Sequence, residues 1–183
     1  MCIRDRVYID ETFDKVARKD IMVRPDGLQY RGLSANQLCI GIGFDGSNTI
    51  AFAEGSGKTS QIKTLDAFGS HIEAGSHLIH DEEKSHKKLV EELDLNSETY
   101  NSRQMKKLPD DKNPLKPINN MCRLLKMFLN SHSGFIRDDL QGYLDLFCFI
   151  MNEGLDPYVK IEKLLSRAID CDKTLAFRNK YSN

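Results

Sequence analysis

Val7-Tyr8-Ile9-Asp10-Glu11-Thr12-Phe13 is the stretch on which the reading of this chain turns. Its β-branched and aromatic residues predict a strand over 7–16. On the pleat, Val7, Ile9 and Glu11 face one way and Tyr8, Asp10 and Thr12 the other. A polar loop with the turn signal Pro25-Asp26-Gly27 follows. Residues 38–44 read as a second strand, Asp45-Gly46-Ser47 as a tight hairpin turn and 49–53 as a third strand, until Gly55 and Gly57 break the pattern.

Thr59 or Ser60 is placed to cap a helix of about a dozen residues, with Ile62, Leu65, Phe68 and Ile72 at helical spacing and Gly75 as its end. Residues 77–80 form a short buried strand running straight into Asp81. Residues 85–95 read as a helix with Leu89, Val90 and Leu93 as its apolar face, and 99–105 as a last, weaker strand. After a charged loop over 109–117, residues 118–129 make a strongly amphipathic helix with Met121, Leu124, Leu125 and Phe128 inward. Two more helices are expected near 138–152 and 158–169. The order β-β-β-α-β-α-β-α, three antiparallel strands and then helical crossovers, predicts an α/β fold with a mixed five-stranded sheet flanked by helices. That is RNase H-like connectivity, with extra C-terminal helices. It sets the first and fourth strands side by side, so Asp10 and Asp81 are expected to meet at one edge of the sheet.

Composition fits this domain size: 183 residues, 40% hydrophobic and 29% charged, suffice for one sizeable core. The apolar runs are too short for a membrane span and no signal peptide is evident, so a cytoplasmic protein with no membrane partner is expected. The five cysteines are scattered without a C-x-x-C pair, which speaks against a disulfide framework or a cysteine zinc site. Cys39, Cys122 and Cys148 sit among apolar residues and read as core thiols. The net charge of −1 does not announce a nucleic-acid binder, but residues 101–137 carry eight Lys or Arg against Asp110 and Asp111, 8 − 2 = +6. Such a stretch suits a phosphate backbone or, equally, a solvated surface.

Phosphoryl transfer needs charge control that divalent ions supply, and magnesium prefers oxygen ligands. Asp10 is a carboxylate within a strand, and its plain alternative is a solvated strand end. Asp81 directly follows a buried strand, and its alternative is a cap for the helix behind it. The third oxygen donor is Asn119, or less readily Asn120. Lys126 lies seven residues after Asn119, two turns along the same face, whereas Asn120 points away. The competing role for Asn119 is a helix N-cap after Pro117.

Ile9-Asp10-Glu11-Thr12, His80-Asp81-Glu82-Glu83-Lys84-Ser85-His86 and Pro117-Ile118-Asn119-Asn120 with Leu125-Lys126 together resemble the ISXO-type lineage of bacterial insertion-sequence transposases, within the wider DDE superfamily. That lineage can carry Asn in place of the final Glu, followed by Lys. The resemblance covers roughly residues 7–152. It implies Asp10, Asp81 and Asn119 as the catalytic, metal-holding triad and magnesium, with manganese as a possible substitute, as the cofactor. It implies Lys126 as a contact to transposon-end DNA, with Lys84, Ser85, His86 and Arg123 in the expected DNA-binding group. The implied partners are transposon-end and target DNA and further copies of the chain assembled on it. The implied chemistry is cleavage at the element end, then attack of the freed 3′-hydroxyl on target DNA. With Asn119 the triad offers two formal negative charges, so weaker metal binding is expected than in a three-acid site.

Residues 1–6, Met-Cys-Ile-Arg-Asp-Arg, resemble translated adapter read-through and are set apart as an expected artefact. Residues 7–152 form the expected catalytic domain and 153–183 a helical tail. The family usually carries a zinc-ribbon or helical DNA-binding region ahead of this domain, so the chain reads as N-terminally truncated. The tryptophan expected near 147–152 is missing, since the chain has none. Two rival readings are a non-transposing RNase H-like nuclease and an inactive transposase remnant.

Four other signals have plainer readings. Gly41-Ile42-Gly43-Phe44-Asp45-Gly46 matches a dinucleotide fingerprint by letter, but a strand follows where a helix is required. Gly57-Lys58-Thr59 lacks the first glycine of a phosphate loop. His71, His77, His80 and His86 show no standard zinc spacing. The stripe of Leu140, Leu144, Phe147 and Met151 reads as core or partner-helix packing.

Overall fold

A computed structural model describes residues 2–16, 21–132, 137–152, 154 and 156–171. The chain divides into two compact units, Met1–Met151 and Asn152–Asn183. The first unit holds β1 (Arg6–Lys15), β2 (Gln37–Phe44), β3 (Thr49–Ser56), α1 (Gln61–Phe68), β4 (His77–Asp81), α2 (Lys87–Glu92), β5 (Asn96–Tyr100), α3 (Ser102–Met105), α4 (Lys116–Ser131) and α5 (Leu140–Met151). The second holds α6 (Pro157–Asp170), where Tyr158, Ile161, Leu165 and Ile169 recur at helical spacing. The part of the expected tail beyond Cys171 lies outside the described residues.

The five strands form one sheet in the order β3-β2-β1-β4-β5. β1 pairs antiparallel with β2 and β2 with β3, whereas β4 runs parallel to both β1 and β5. This mixed sheet, with helices packed on it, is an RNase H-like α/β fold. The glycines of 41–46 belong to the β2–β3 hairpin, where Gly46 takes φ 99°.

Each face of the sheet has its own core. On one, Ile40 and Ile42 of β2, Ala51 of β3 and Ile79 of β4 pack against Ile118, Leu125 and Leu129 of α4 and Leu140, Leu144 and Phe147 of α5. The apolar stripe of α5 is therefore core. On the other face, Val7, Ile9, Ile50 and Leu78 pack against Phe68 and Leu89. Ile3 is fully buried in this second core and bridges Ile72. At the outer strand β3, Gln141 of α5 accepts from the Ala53 N–H at 3.0 Å and donates to the Ala51 carbonyl at 3.1 Å.

Several boundaries differ from the sequence expectation, each for a local reason. Ser60 is the cap of α1, but the helix stops at Phe68 with Gly69 as C-cap, short of Ile72. Ile72 is instead held by the backbone around Ile3. β3 continues to Ser56 because a bulge at Cys39/Ile40 absorbs the irregular register. The expected last strand over 99–105 is really two elements. β5 ends at Tyr100, and Asn101 accepts from the Arg103 and Gln104 N–H groups to start α3. The helix expected over 85–95 begins as a 3₁₀ turn, Lys84–His86, before α2. Cys39 and Cys122 are buried and Cys148 half-buried. Among the described residues, no helix is long and apolar enough to cross a membrane.

Candidate active site

β1 and β4 are paired with a constant offset, Tyr8 opposite Ile79, 79 − 8 = 71. The same offset two residues on sets Asp10 beside Asp81, the last residue of β4. Asp10 is on the α4 side of the sheet. Its Oδ1 accepts from the Glu11 N–H at 2.8 Å and its Oδ2 faces the Cys122 thiol of α4 at 3.9 Å. Asp81 is half-buried, and its Oδ1 accepts from the Glu83 N–H at 3.0 Å. Burial, then the charge of Asp81, then that of Glu11 push the Asp10 carboxyl up to about 7. Asp81 is raised too, chiefly by burial. Each carboxylate is penalised by lost water, the condition a bound cation relieves.

α4 carries the third candidate. Leu115 is its N-cap and Asn119 lies inside it, with its N–H on the Leu115 carbonyl at 3.0 Å, so Asn119 is not an N-cap. Asn119 and Lys126 are both exposed. At about 100° per residue they lie within roughly 20° of each other, each about 40–60° round the helix from Cys122. Cys122 touches Asp10, and Asn119 and Lys126 are its neighbours on the helix surface. Lys126 also pulls against the rise that burial and Asp10 impose on the Cys122 thiol. Asn120 points about 160° from Cys122. Its Oδ1 is engaged by the Arg123 guanidinium at 2.9 Å on an exposed face.

Of the expected DNA-binding group, Lys84, Arg123 and Lys126 are exposed. Ser85 and His86 lie deep in the fold instead, 4% and 0% exposed. Both serve Glu11, which lies on the opposite face of β1 from Asp10. Ser85 Oγ donates to Glu11 Oε1 at 2.9 Å, and His86 Nε2 lies 3.0 Å from the same oxygen. His86 Nδ1 meets His80 Nδ1 at 2.8 Å, and His80 Nε2 meets Ser97 Oγ at 2.9 Å. Burial works against both charges of the Glu11–His86 pair, but their hydrogen bond and mutual attraction outweigh it. Glu11 is therefore lowered and His86 raised. Burial first, and then the charge of His86, lower His80 to about 4 and keep it neutral.

Sequence reasoning quoted Glu11 and left it out of the site. The available signal was its place beside Val7 and Ile9 on an apolar strand face, where an acid requires buried partners. A second buried acid on that face, Glu54, contacts Thr59, and burial raises its pKa. Gly41 makes room for it: a Cβ there would lie 2.4 Å from Glu54 Oε1 and 2.7 Å from the Phe68 ring.

No family model matches the chain, and no curated protein matches it. Among solved structures, it is similar to a chain in the cryo-electron microscopy structure of the simian T-cell lymphotropic virus intasome in complex with PP2A regulatory subunit B56 gamma. The identity is 10% and the TM-score 0.49, over 86% of this chain and 52% of that one. This chain thus spans about half the length of its neighbour. The fold assignment stands on strand order and pairing.

Proposed function

We propose that this chain is the catalytic domain of a bacterial insertion-sequence transposase of the ISXO-like lineage, cutting DNA at an element end and joining it to target DNA. The observation that carries the reading is the meeting of Asp10 and Asp81 across β1 and β4, with the Asp10 carboxyl pushed up to about 7. Two acids this poorly solvated side by side are a cost to the fold, and such costs concentrate where chemistry is done.

Asp10, Asp81 and Asn119 offer oxygen donors alone, the set magnesium or manganese takes. Bound there, such ions supply charge stabilisation at phosphorus and activation of the attacking hydroxyl. Asp10 gives up its proton as the site fills, because a neighbouring cation favours the charged form. Asn119 adds a neutral amide oxygen from α4, leaving two formal charges in the triad. Lys126, two turns along, presents its ammonium to a DNA phosphate, with Lys84 just past β4 and Arg123 on α4 as further exposed cations. Assembly of several copies on paired DNA ends belongs to the same reading.

The test is metal-dependent joining of a pre-cut 3′-ended oligonucleotide into plasmid, comparing the chain with Asp81→Ala. Joining is expected in the chain and a loss of at least 100-fold in the variant, on the order of the effect of removing one main electrostatic stabiliser. Cleavage without joining would turn the reading to an RNase H-like nuclease. A folded chain inactive in both steps would mark a remnant.

A further inference from the structure

On the α1/α2 side of the sheet, His80 and His86 face each other through their Nδ1 atoms, 2.8 Å apart. One donor atom from each, together with an Asp81 carboxylate oxygen, lie within 4.8 Å of one another. We propose that His80, His86 and Asp81 form a binding site for a zinc-class divalent cation, zinc or cobalt. It shares Asp81 with the oxygen site of Asp10 and Asn119 and takes both imidazoles from the other face. The inference stands whether or not the chain joins DNA.

Three features point to a built site and not to a chance pair. Metal-binding histidines almost always have the far ring nitrogen held by a carboxylate, hydroxyl or carbonyl, which orients the ring. Both rings meet this condition: His86 Nε2 is on Glu11 Oε1 at 3.0 Å and His80 Nε2 on Ser97 Oγ at 2.9 Å. The hydrogen-bonded Nδ1 pair holds one shared proton, which a cation displaces to solvent with a small opening of the gap. Glu11 and Asp81 then balance the two positive charges. Imidazole donors favour zinc-class ions over magnesium, so the two sites select different metals.

An approach route exists as well. A cleft of about 430 Å³ opens over His80 and Ser97, with Glu82, Glu83 and Glu91 on its wall. Lys87 also lines the cleft; Glu91 pairs with it and Glu83 with Lys58, which leaves Glu82, among the described residues, as the acid without a lysine partner to draw a cation toward His80.

The site is tested by titrating cobalt(II) into the full chain carrying Cys2→Ser and Cys171→Ser, so that exposed thiols do not compete. Visible absorption of the bound ion is the readout, and circular dichroism checks folding. A saturable band at one ion per chain is expected, displaced by zinc. It is expected to survive Asp10→Asn, to weaken roughly 10–100-fold in Glu11→Gln and to vanish in His86→Gln. Should His86→Gln unfold, Asp81→Asn decides, since Asp81 is only half-buried; binding at least tenfold weaker supports the site. Absence of a saturable band up to millimolar cobalt, or a band unchanged in both Asp81→Asn and His80→Gln, overturns it.

Discussion

On the face of the sheet covered by α4 and α5, the Asp10 carboxylate meets a backbone N–H and a thiol, and its pKa climbs to about 7. One residue later, on the face covered by α1 and α2, Glu11 accepts from Ser85 and is paired with His86, and its pKa falls. Both acids lose water on folding. The difference is the partner: an imidazolium in contact compensates Glu11, whereas Asp10 has another acid as its neighbour across the strands. A compensated acid holds structure together, and an uncompensated one is primed to receive a cation. The two faces of one strand thus treat a buried acid in opposite ways, one pairing its charge and one leaving it exposed to a like charge.

Breaking the compensated side should have the largest effect. Glu11→Ala leaves the His86 ring facing a void and its charge unpaired, and is expected to cost about 3–5 kcal/mol in urea unfolding near pH 6. The sign with pH follows from both shifts. Glu11 is lowered, so its contribution is present above the ordinary carboxylate value and lost as pH falls through its folded pKa. His86 is raised, so its contribution is complete below about 6.5 and lost as pH rises through its folded pKa. An effect of Glu11→Ala that stays constant from pH 3 to pH 9 would show that the pair is not ionised in the fold.

Removing the charge on the other side should do the opposite. Asp10 is raised from 3.8 to about 7, so its protonated form is favoured in the fold. Its penalty is absent at pH below about 4, grows as pH rises and is complete above about 7. Asp10→Asn is therefore expected to stabilise the chain at pH 8 by roughly 2–4 kcal/mol without divalent metal. At pH 4 the gain should vanish. Equal melting of the two proteins at pH 8 in a chelator would sink the idea.

The smallest change probes how tightly the compensated side is packed. Gly41→Ala drives a methyl against Glu54 and the fully buried Phe68 ring, and is expected to cost about 1–3 kcal/mol in thermal or denaturant unfolding. A neutral result would mean that Glu54 swings aside, leaving the face looser than its contacts indicate.

Much of this was legible in the sequence because it follows from periodicity. Alternation in 7–16 and the hairpin glycines fixed the strands, and strand order brought Asp10 to Asp81. The 3.6-residue repeat of α4 likewise sets Asn119 and Lys126 on one stripe. The back face was less legible because hydrogen-bond partners come together through tertiary packing. Glu11 and His86 are 75 residues apart, and nothing local to Ser85 or His86 says that they point inward. The resemblance placed them in the DNA-binding group, and their partner in the fold is the buried acid of β1. The end of α1 was missed for the same reason, since Ile72 answers to Ile3, whereas the split of 99–105 turned on a local signal, the Asn101 cap, where a strand residue was expected.

The side chain of Gln141 closes part of the outer edge of the sheet. β3 forms an outer border of the sheet, where unsatisfied peptide groups invite another chain to add a strand. The Gln141 amide imitates such a strand, filling the Ala53 donor and the Ala51 acceptor from within the same molecule. A second chain seeking to extend the sheet at those two residues must first evict it. One glutamine on a helix therefore acts as a guard against open-ended strand addition along this edge.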